Sequence, residues 1–373
     1  MNEDKATRYN RLRRQAGVAS VVWGVLLLLG LVLSGGSLAM RDAAEGLASV
    51  FVGEARLRAA SVAIYTVLLT LLNEVGGVPL GLYREFVLER RYGLSKQSLG
   101  AWLKDQAKSL SLGIVLGVAA GSILYFLISR FPLWWWLPAA AVFALLVVGL
   151  VNVAPLLLLP LFYSIRPLSK ASLRDKLIAL GERAGTRVLD AYEWGLGQKT
   201  SKANAALTGI GGSRRILVSD TMLDQYSDDE IEVVLAHEIA HHVHGDIWKG
   251  LAFETGLIVA GFAAAAWLLR VVAPVAGLRG SDDIAGLPVL LLAAGAVSLL
   301  MLPAAHAMSR AHERRADHFA LMITRNPSAF ISAMKRLAVQ NLAEEAPSTL
   351  VRWLFYSHPP IGERIAAAQA FKV

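Results

Sequence analysis

The sequence predicts a mainly α-helical, polytopic membrane protein: about six membrane-crossing helices around a chamber, with a smaller α+β domain on the cytoplasmic side. Two observations carry this. The 373 residues are 55% hydrophobic, with a mean hydropathy of +0.49, too apolar for an ordinary soluble protein, and their apolar residues gather in six long runs. From Pro167 the chain changes to amphipathic globular sequence, in which strand-like stretches precede a helical periodicity. The lipid bilayer is therefore the first partner. The net charge of +8 falls in alternate loops between the runs, the pattern of membrane topology, so no nucleic-acid partner is expected. There is no cysteine, which excludes disulfides, thiolate metal sites and a cysteine nucleophile and leaves His, Asp and Glu to hold any metal.

The first run, Val18 to Leu33, follows a basic stretch (Lys5, Arg8, Arg11, Arg13, Arg14) and precedes Ser34-Gly35-Gly36-Ser37. A cleavable signal peptide shares that pattern, but the later runs keep the chain in the membrane, and the stretch reads as the first span. Further spans are expected at about 60–82, 110–129, 136–163, 250–274 and 286–306, each able to cross ~30 Å of hydrocarbon. Arg84, Arg90, Arg91, Lys96, Lys104 and Lys108 crowd the loop after the second span, and residues 164–249 are also basic. Both termini and segment 164–249 are therefore expected on the cytoplasmic side. Trp134-Trp135-Trp136 reads as an interfacial belt at the opposite face. Asn73, Glu74, Asn152 and Glu254 are polar residues within spans; a water-filled interior chamber accommodates them, as does hydrogen bonding between helices. Pro155 and Pro160 imply a bent or broken fourth span. Residues 1–166 then form a membrane region with four spans, and 167–373 a second domain interrupted by spans five and six.

Within that domain Ser172 to Glu182 reads as a helix stopped at Gly185, and RVLDAYEW and RRILVSD as strands with SKANAALTG between them. Next comes LDQYSDDEIEVVLAHEIAHHVHGD. Ile231, Val234, Leu235, Ile239 and Val243 keep helical spacing, and Ser227 with Glu230 makes a capping box. One turn separates His237 from His241, so both imidazoles share a face and can converge on a tetrahedral Zn²⁺, with Glu238 beside them to take a proton from an activated water. This is the apparatus of metal-assisted peptide hydrolysis. A third ligand is expected from a second helix, and Glu313 in HERRAD is the candidate. Asp317, a turn later, is placed to accept the outer N–H of a ligand imidazole. His358, ahead of Pro359-Pro360, and Arg364 can stabilise an oxyanion, although Pro-Pro also simply starts a terminal helix. His242 points off the ligand face and reads as structural. His244 and His312 read as supporting or merely polar positions, and His306 and His318 receive no role.

The series HEIAHHVHGD, SRAHERRADHFAL, YSHPPIGERI and SKANAALTG…RRILVSDTML resembles the M48 metalloproteases, and the stretch Val78 to Gly100 is similar to the Ste24 type, the CaaX prenyl proteases. The resemblance implies a zincin-like metalloprotease domain with one Zn²⁺ on His237, His241 and Glu313, Glu238 as general base and Asp317 behind a ligand. It further implies that His358 and Arg364 form the transition-state pair, that Asn204 and Ala205 lie on an edge strand binding peptide by strand addition, and that the spans surround a large chamber. Two departures stand out. The additional N-terminal span of eukaryotic members has no counterpart here, and the aromatic residue common after Asn-Ala is replaced by Ala206-Leu207. The expected activity is that of an integral membrane zinc endopeptidase, with processing of isoprenylated C-terminal CaaX peptides implied by the resemblance. Quality control of misfolded membrane proteins in a prokaryotic cell membrane is the alternative, and a non-enzymatic channel or scaffold the alternative of another class.

Overall fold

The computed structural model describes residues 4–209 and 211–372. Six helices among them are long and apolar enough to cross a membrane: α1 (Lys5–Leu33), α3 (Glu54–Arg91), α4 (Leu99–Arg130), α5 (Trp136–Phe162), α8 (Asp246–Val272) and the helix that includes α9 (Leu287–Thr324). The spans lie where the apolar runs predict them. The chain between the first two spans, expected as a loop, is the helix α2 (Gly36–Phe51), entered through Gly35 at a φ of 74°, a left-handed conformation that glycine adopts without a Cβ penalty. Its Arg41 is buried against Asp283 at 2.7 Å, which ties α2 to the loop before α9 at the end of the bundle away from the soluble domain. The two prolines of the fourth span produce the expected irregularity: residues Ala154–Leu158 of α5 wind as a π-helix, because Pro155 cannot donate to the helical ladder.

The polar residues of the spans divide. Asn73 and Glu254 line a cavity of about 640 Å³ together with Thr66, Thr70, Gly121 and Ser298. Asn152 instead donates to the carbonyl of Val148 on its own helix, at 2.7 Å. Glu74 is exposed outside that lining. The cavity walls are otherwise apolar, with Leu28, Leu124, Phe143 and Leu287 among them.

The soluble part is built on a sheet of β1 (Ile165–Pro167), β2 (Asp190–Trp194), β3 (Ala205–Thr208) and β4 (Arg215–Ser219) in the order β1-β2-β4-β3. β2 and β4 run parallel, and β1 and β3 are antiparallel additions at the two edges. The first predicted strand is shorter than RVLDAYEW, since residues 186–189 are irregular. Helix α6 (Ala171–Arg183) buries Leu173, Leu177 and Leu180 against Ile216 and Val218 of the sheet and Leu235 and Ile239 of α7 (Asp228–Val243). Gly185, at a φ of 67°, ends it as expected. The capping box that starts α7 is present: Glu230 N donates to Ser227 Oγ at 3.2 Å, and Ser227 N to Glu230 Oε2 at 2.8 Å. After α9 come α10 (Pro327–Gln340), α11 (Thr349–Phe355) and α12 (Ile361–Ala370), α12 starting right after Pro360.

Candidate active site

Three helices build the site. His237 and His241 project from one face of α7, their ring centroids 5.0 Å apart and their planes at 86°. Glu313 comes from the polar end of α9, past its apolar run. His237 Nε2 lies 3.1 Å from Glu313 Oε2, and His241 Nε2 lies 3.5 Å from Oε1. Among the described residues this is the group of three whose ligand atoms fall within 4.8 Å of one another.

The other nitrogen of each imidazole is held by a carboxylate. His237 Nδ1 donates to Asp317 Oδ1 at 2.8 Å, and His241 Nδ1 to Asp246 Oδ2 at 3.1 Å. An ionised carboxylate only accepts, so both Nδ1 atoms carry protons and both Nε2 lone pairs turn toward Glu313. Glu313 Oε2 is buried and has no hydrogen-bond donor among the described residues. Lone pairs brought together without a donor repel unless a cation sits among them, and imidazole with carboxylate is a donor set that suits a divalent metal. The residues therefore fit a metal. Burial alone pulls the His237 pKa down, but the Asp317 and Glu313 carboxylates at its two nitrogens outweigh this and raise it to about 9. The same carboxylates that fix this ring would favour a cation beside it.

Asp246 was not singled out by the sequence reading. It reaches His241 across the two-residue link His244-Gly245, where Gly245, at a φ of 66°, adopts the left-handed conformation that glycine tolerates and breaks α7 from α8. Arg315 Nη2 at 2.7 Å and Lys249 Nζ at 3.3 Å share its other oxygen, and His312 Nε2 stands 3.8 Å away.

Glu238 lies in the same cleft as His237, and its pKa is raised by burial, the direction that suits a proton carrier near neutrality. His358 lines the same cleft, with Nε2 3.2 Å from Glu313 Oε1. Arg364 lines the same cleft as Glu238 and His358 and is also paired behind it. Its Nη2 and Nε donate to Asp317 Oδ1 and Oδ2 at 2.6 and 2.8 Å, a two-pronged buried ion pair. Long-range pairing of two side chains 47 positions apart leaves no local signal in the sequence.

The cleft, of about 300 Å³, is lined by Ala203, Asn204 and Ala205 together with His358, Pro359 and Pro360. Asn204 is exposed and immediately precedes β3, which forms one edge of the sheet. Asn204 O accepts from Ser219 N at 2.9 Å, so residues 204, 206 and 208 turn their backbone groups toward β4, and 205 and 207 turn theirs outward. His242, expected to be structural, bonds the outward carbonyl of Leu207 at 3.0 Å and ties α7 to the edge strand. Of the remaining histidines, His244 packs edge-on against Phe319, His318 against Phe371, and His306 approaches the carbonyl of Trp353 at 3.3 Å.

Comparison with known proteins agrees with this geometry. Residues 167–372 match peptidase family M48, and residues 2–164 match the CAAX prenyl protease N-terminal region, described as five membrane helices. The chain is 32% identical over 282 residues to an uncharacterized metalloprotease, YhfN, of Bacillus subtilis, which is 74% of this chain and 66% of that protein. It is 28% identical to CAAX prenyl protease 1 of Saccharomyces cerevisiae, over 80% of this chain and 70% of the yeast protein. The crystal structure of S. mikatae Ste24p superimposes with a TM-score of 0.84 at 23% identity, covering 98% of this chain and 87% of that one, which shows a shared fold.

Proposed function

This chain belongs to peptidase family M48 as a membrane metalloprotease of the Ste24 type, and we propose that its metal is Zn²⁺ held by His237, His241 and Glu313. The observation that carries this reading is the convergence of two imidazole Nε2 atoms and one carboxylate, each imidazole backed by a carboxylate on its far side. A bound Zn²⁺ supplies Lewis acidity, acidifying a water and polarising the scissile carbonyl. Glu238 accepts the water's proton and passes it to the leaving amine, a transfer helped by its burial-raised pKa. His358, across the cleft, donates to the developing oxyanion. Arg364 acts through Asp317, fixing the carboxylate that orients His237.

The peptide adds as an extended strand at Asn204-Ala205, its backbone pairing with the outward groups of β3. His242 already occupies the carbonyl of Leu207, so the added strand is short. The basic loops between spans support a cytoplasmic site for the soluble domain, and Arg14 of α1 meets Tyr356 there, so the N-terminal end shares that side. The substrate class proposed is the isoprenylated CaaX C-terminus. Relatives named CAAX prenyl protease 1 support it, as does the largely apolar cavity in the membrane region, which offers room for a lipid chain.

The experiment is cleavage of a farnesylated CaaX peptide and its unprenylated twin by the purified protein, with and without a zinc chelator. Chelator-sensitive cleavage of the prenylated peptide alone is expected. Equal cleavage of both overturns lipid-guided processing and favours broad quality control. No cleavage of either, with zinc bound stoichiometrically, counts against the peptidase assignment of these substrates.

A further inference from the structure

Helix α11 is short and turns an apolar side outward: Leu350 and Trp353, one turn apart, are 70% and 56% exposed. Its height in the molecule is fixed by contacts. Arg310 Nη1 donates to the carbonyls of Arg352 and Tyr356 at 3.1 and 2.7 Å, and His306 Nδ1 approaches that of Trp353 at 3.3 Å. His306 is where the apolar run of α9 ends, and the exposed Leu299 and Leu300 of that run lie two turns before it. Gly261 of α8 packs on Ala294 of α9, so in this antiparallel pair residue 249 comes level with residue 306, and the exposed Trp248 stands at the same height. From His306 back to Leu287 is 19 residues of helix, about 28 Å, which matches the hydrocarbon thickness of a bilayer. On α1, Arg14, one turn before its apolar run begins at Val18, donates to the Tyr356 hydroxyl at 3.0 Å. Three separate helices thus put α11 at the membrane boundary, where tryptophans gather.

We propose that α11 is an interfacial helix whose Leu350–Trp353 face is seated in the bilayer, continuous with the lipid-facing surface of α9, and that this seat holds the loop carrying His358 over the metal ligands. Two residues, Tyr356 and Ser357, separate α11 from His358, and Ser357 Oγ hydrogen-bonds His358 Nδ1 at 2.9 Å, so the loop has little slack. Only the significance of His358 rests on the proposed peptidase reading; the membrane seat stands without it.

The absence of cysteine from the chain makes the test direct. Full-length Leu350→Cys and Trp353→Cys variants are spin-labelled and reconstituted in phosphatidylcholine–phosphatidylglycerol vesicles, and collision rates with oxygen and with a water-soluble nickel chelate are measured. Leu300→Cys, at a position 79% exposed on a span, serves as the lipid reference, and Val339→Cys, 78% exposed on α10, as the aqueous one. Oxygen-to-nickel ratios for 350 and 353 on the lipid side of the midpoint are expected, and ratios matching position 339 overturn the seat. A label at Ser357→Cys is then compared with and without Leu350→Ser and Trp353→Ser. A gain in label mobility in the double variant is expected, and unchanged mobility overturns the coupling to His358. Neither readout uses a substrate, so failure here is distinct from failure of the peptidase assignment.

Discussion

The carboxylate behind His241 gives the sharpest prediction. Asp246→Ala removes the acceptor 3.1 Å from His241 Nδ1 and leaves that nitrogen without the partner that fixes the ring and its tautomer. Outer partners of this kind contribute 10–100-fold in metal affinity, about 1.4–2.7 kcal/mol. The competing effect is structural, because Asp246 is 6% exposed and also pairs with Arg315 and Lys249. Those two side chains are 47% and 45% exposed and regain water when the carboxylate goes, so their loss costs at most about 1 kcal/mol. The metal term therefore wins. The assay is Zn²⁺ affinity by competition with a fluorescent chelator, with thermal unfolding in excess chelator alongside. A 10–100-fold weaker Kd with a nearly unchanged metal-free melting temperature is expected. A Kd within twofold of the parent protein would show that Asp246 does not act through His241.

Three further outcomes are expected. Glu238→Gln retains stoichiometric zinc by elemental analysis and loses turnover by roughly 10²–10⁴-fold, and retained turnover would remove Glu238 from its role. Arg364→Ala takes the guanidinium from the buried Asp317, leaving it only the His237 imidazole, and destabilises the protein by about 3–5 kcal/mol in denaturant titration, whereas the exposed Arg314→Ala changes it by under about 1 kcal/mol. Burial works to raise the Glu230 pKa, but bonds from Ser332, the Ser227 amide and Arg336 outweigh it and hold the carboxyl below its ordinary value. Its stabilising effect is thus complete above the ordinary glutamate range and fades as pH falls through the lowered folded value, so Glu230→Gln should narrow the gap to the parent protein in acid melts.

The grouping of His237, His241 and Glu313 was legible because it is written locally: a one-turn repeat on α7 and a Glu with an Asp a turn later on α9 declare their faces by spacing alone. The capping box at Ser227 and the stop at Gly185 were legible for the same reason. Asp246 escaped because its role depends on the left-handed turn at Gly245, which redirects a residue that spacing assigns to the next helix. The partnership of Arg364 with Asp317 escaped because it joins α12 to α9 through space. Helix α2 was missed because the segment carries Arg41, Asp42 and Glu45 and falls short of any membrane-spanning pattern, while its stability comes from packing on α3 and from the Arg41–Asp283 pair. Asn152 shows the limit of reading purpose into polarity: it satisfies itself on its own helix.

Helix α9 is continuous from Leu287 to Thr324, carrying a membrane span at one end and Glu313 toward the other. Glu313 lies seven positions beyond His306, so the helix acts as a ruler that stands the His-His-Glu cluster about 10 Å beyond the end of the apolar run. At about 3.3 Å per extended residue, a polypeptide rooted in the bilayer spans that height with about three residues. On the proposed reading, bonds closer to the root than that would stay below the cleft, so altitude would limit which bonds can be reached before any side-chain pocket is consulted.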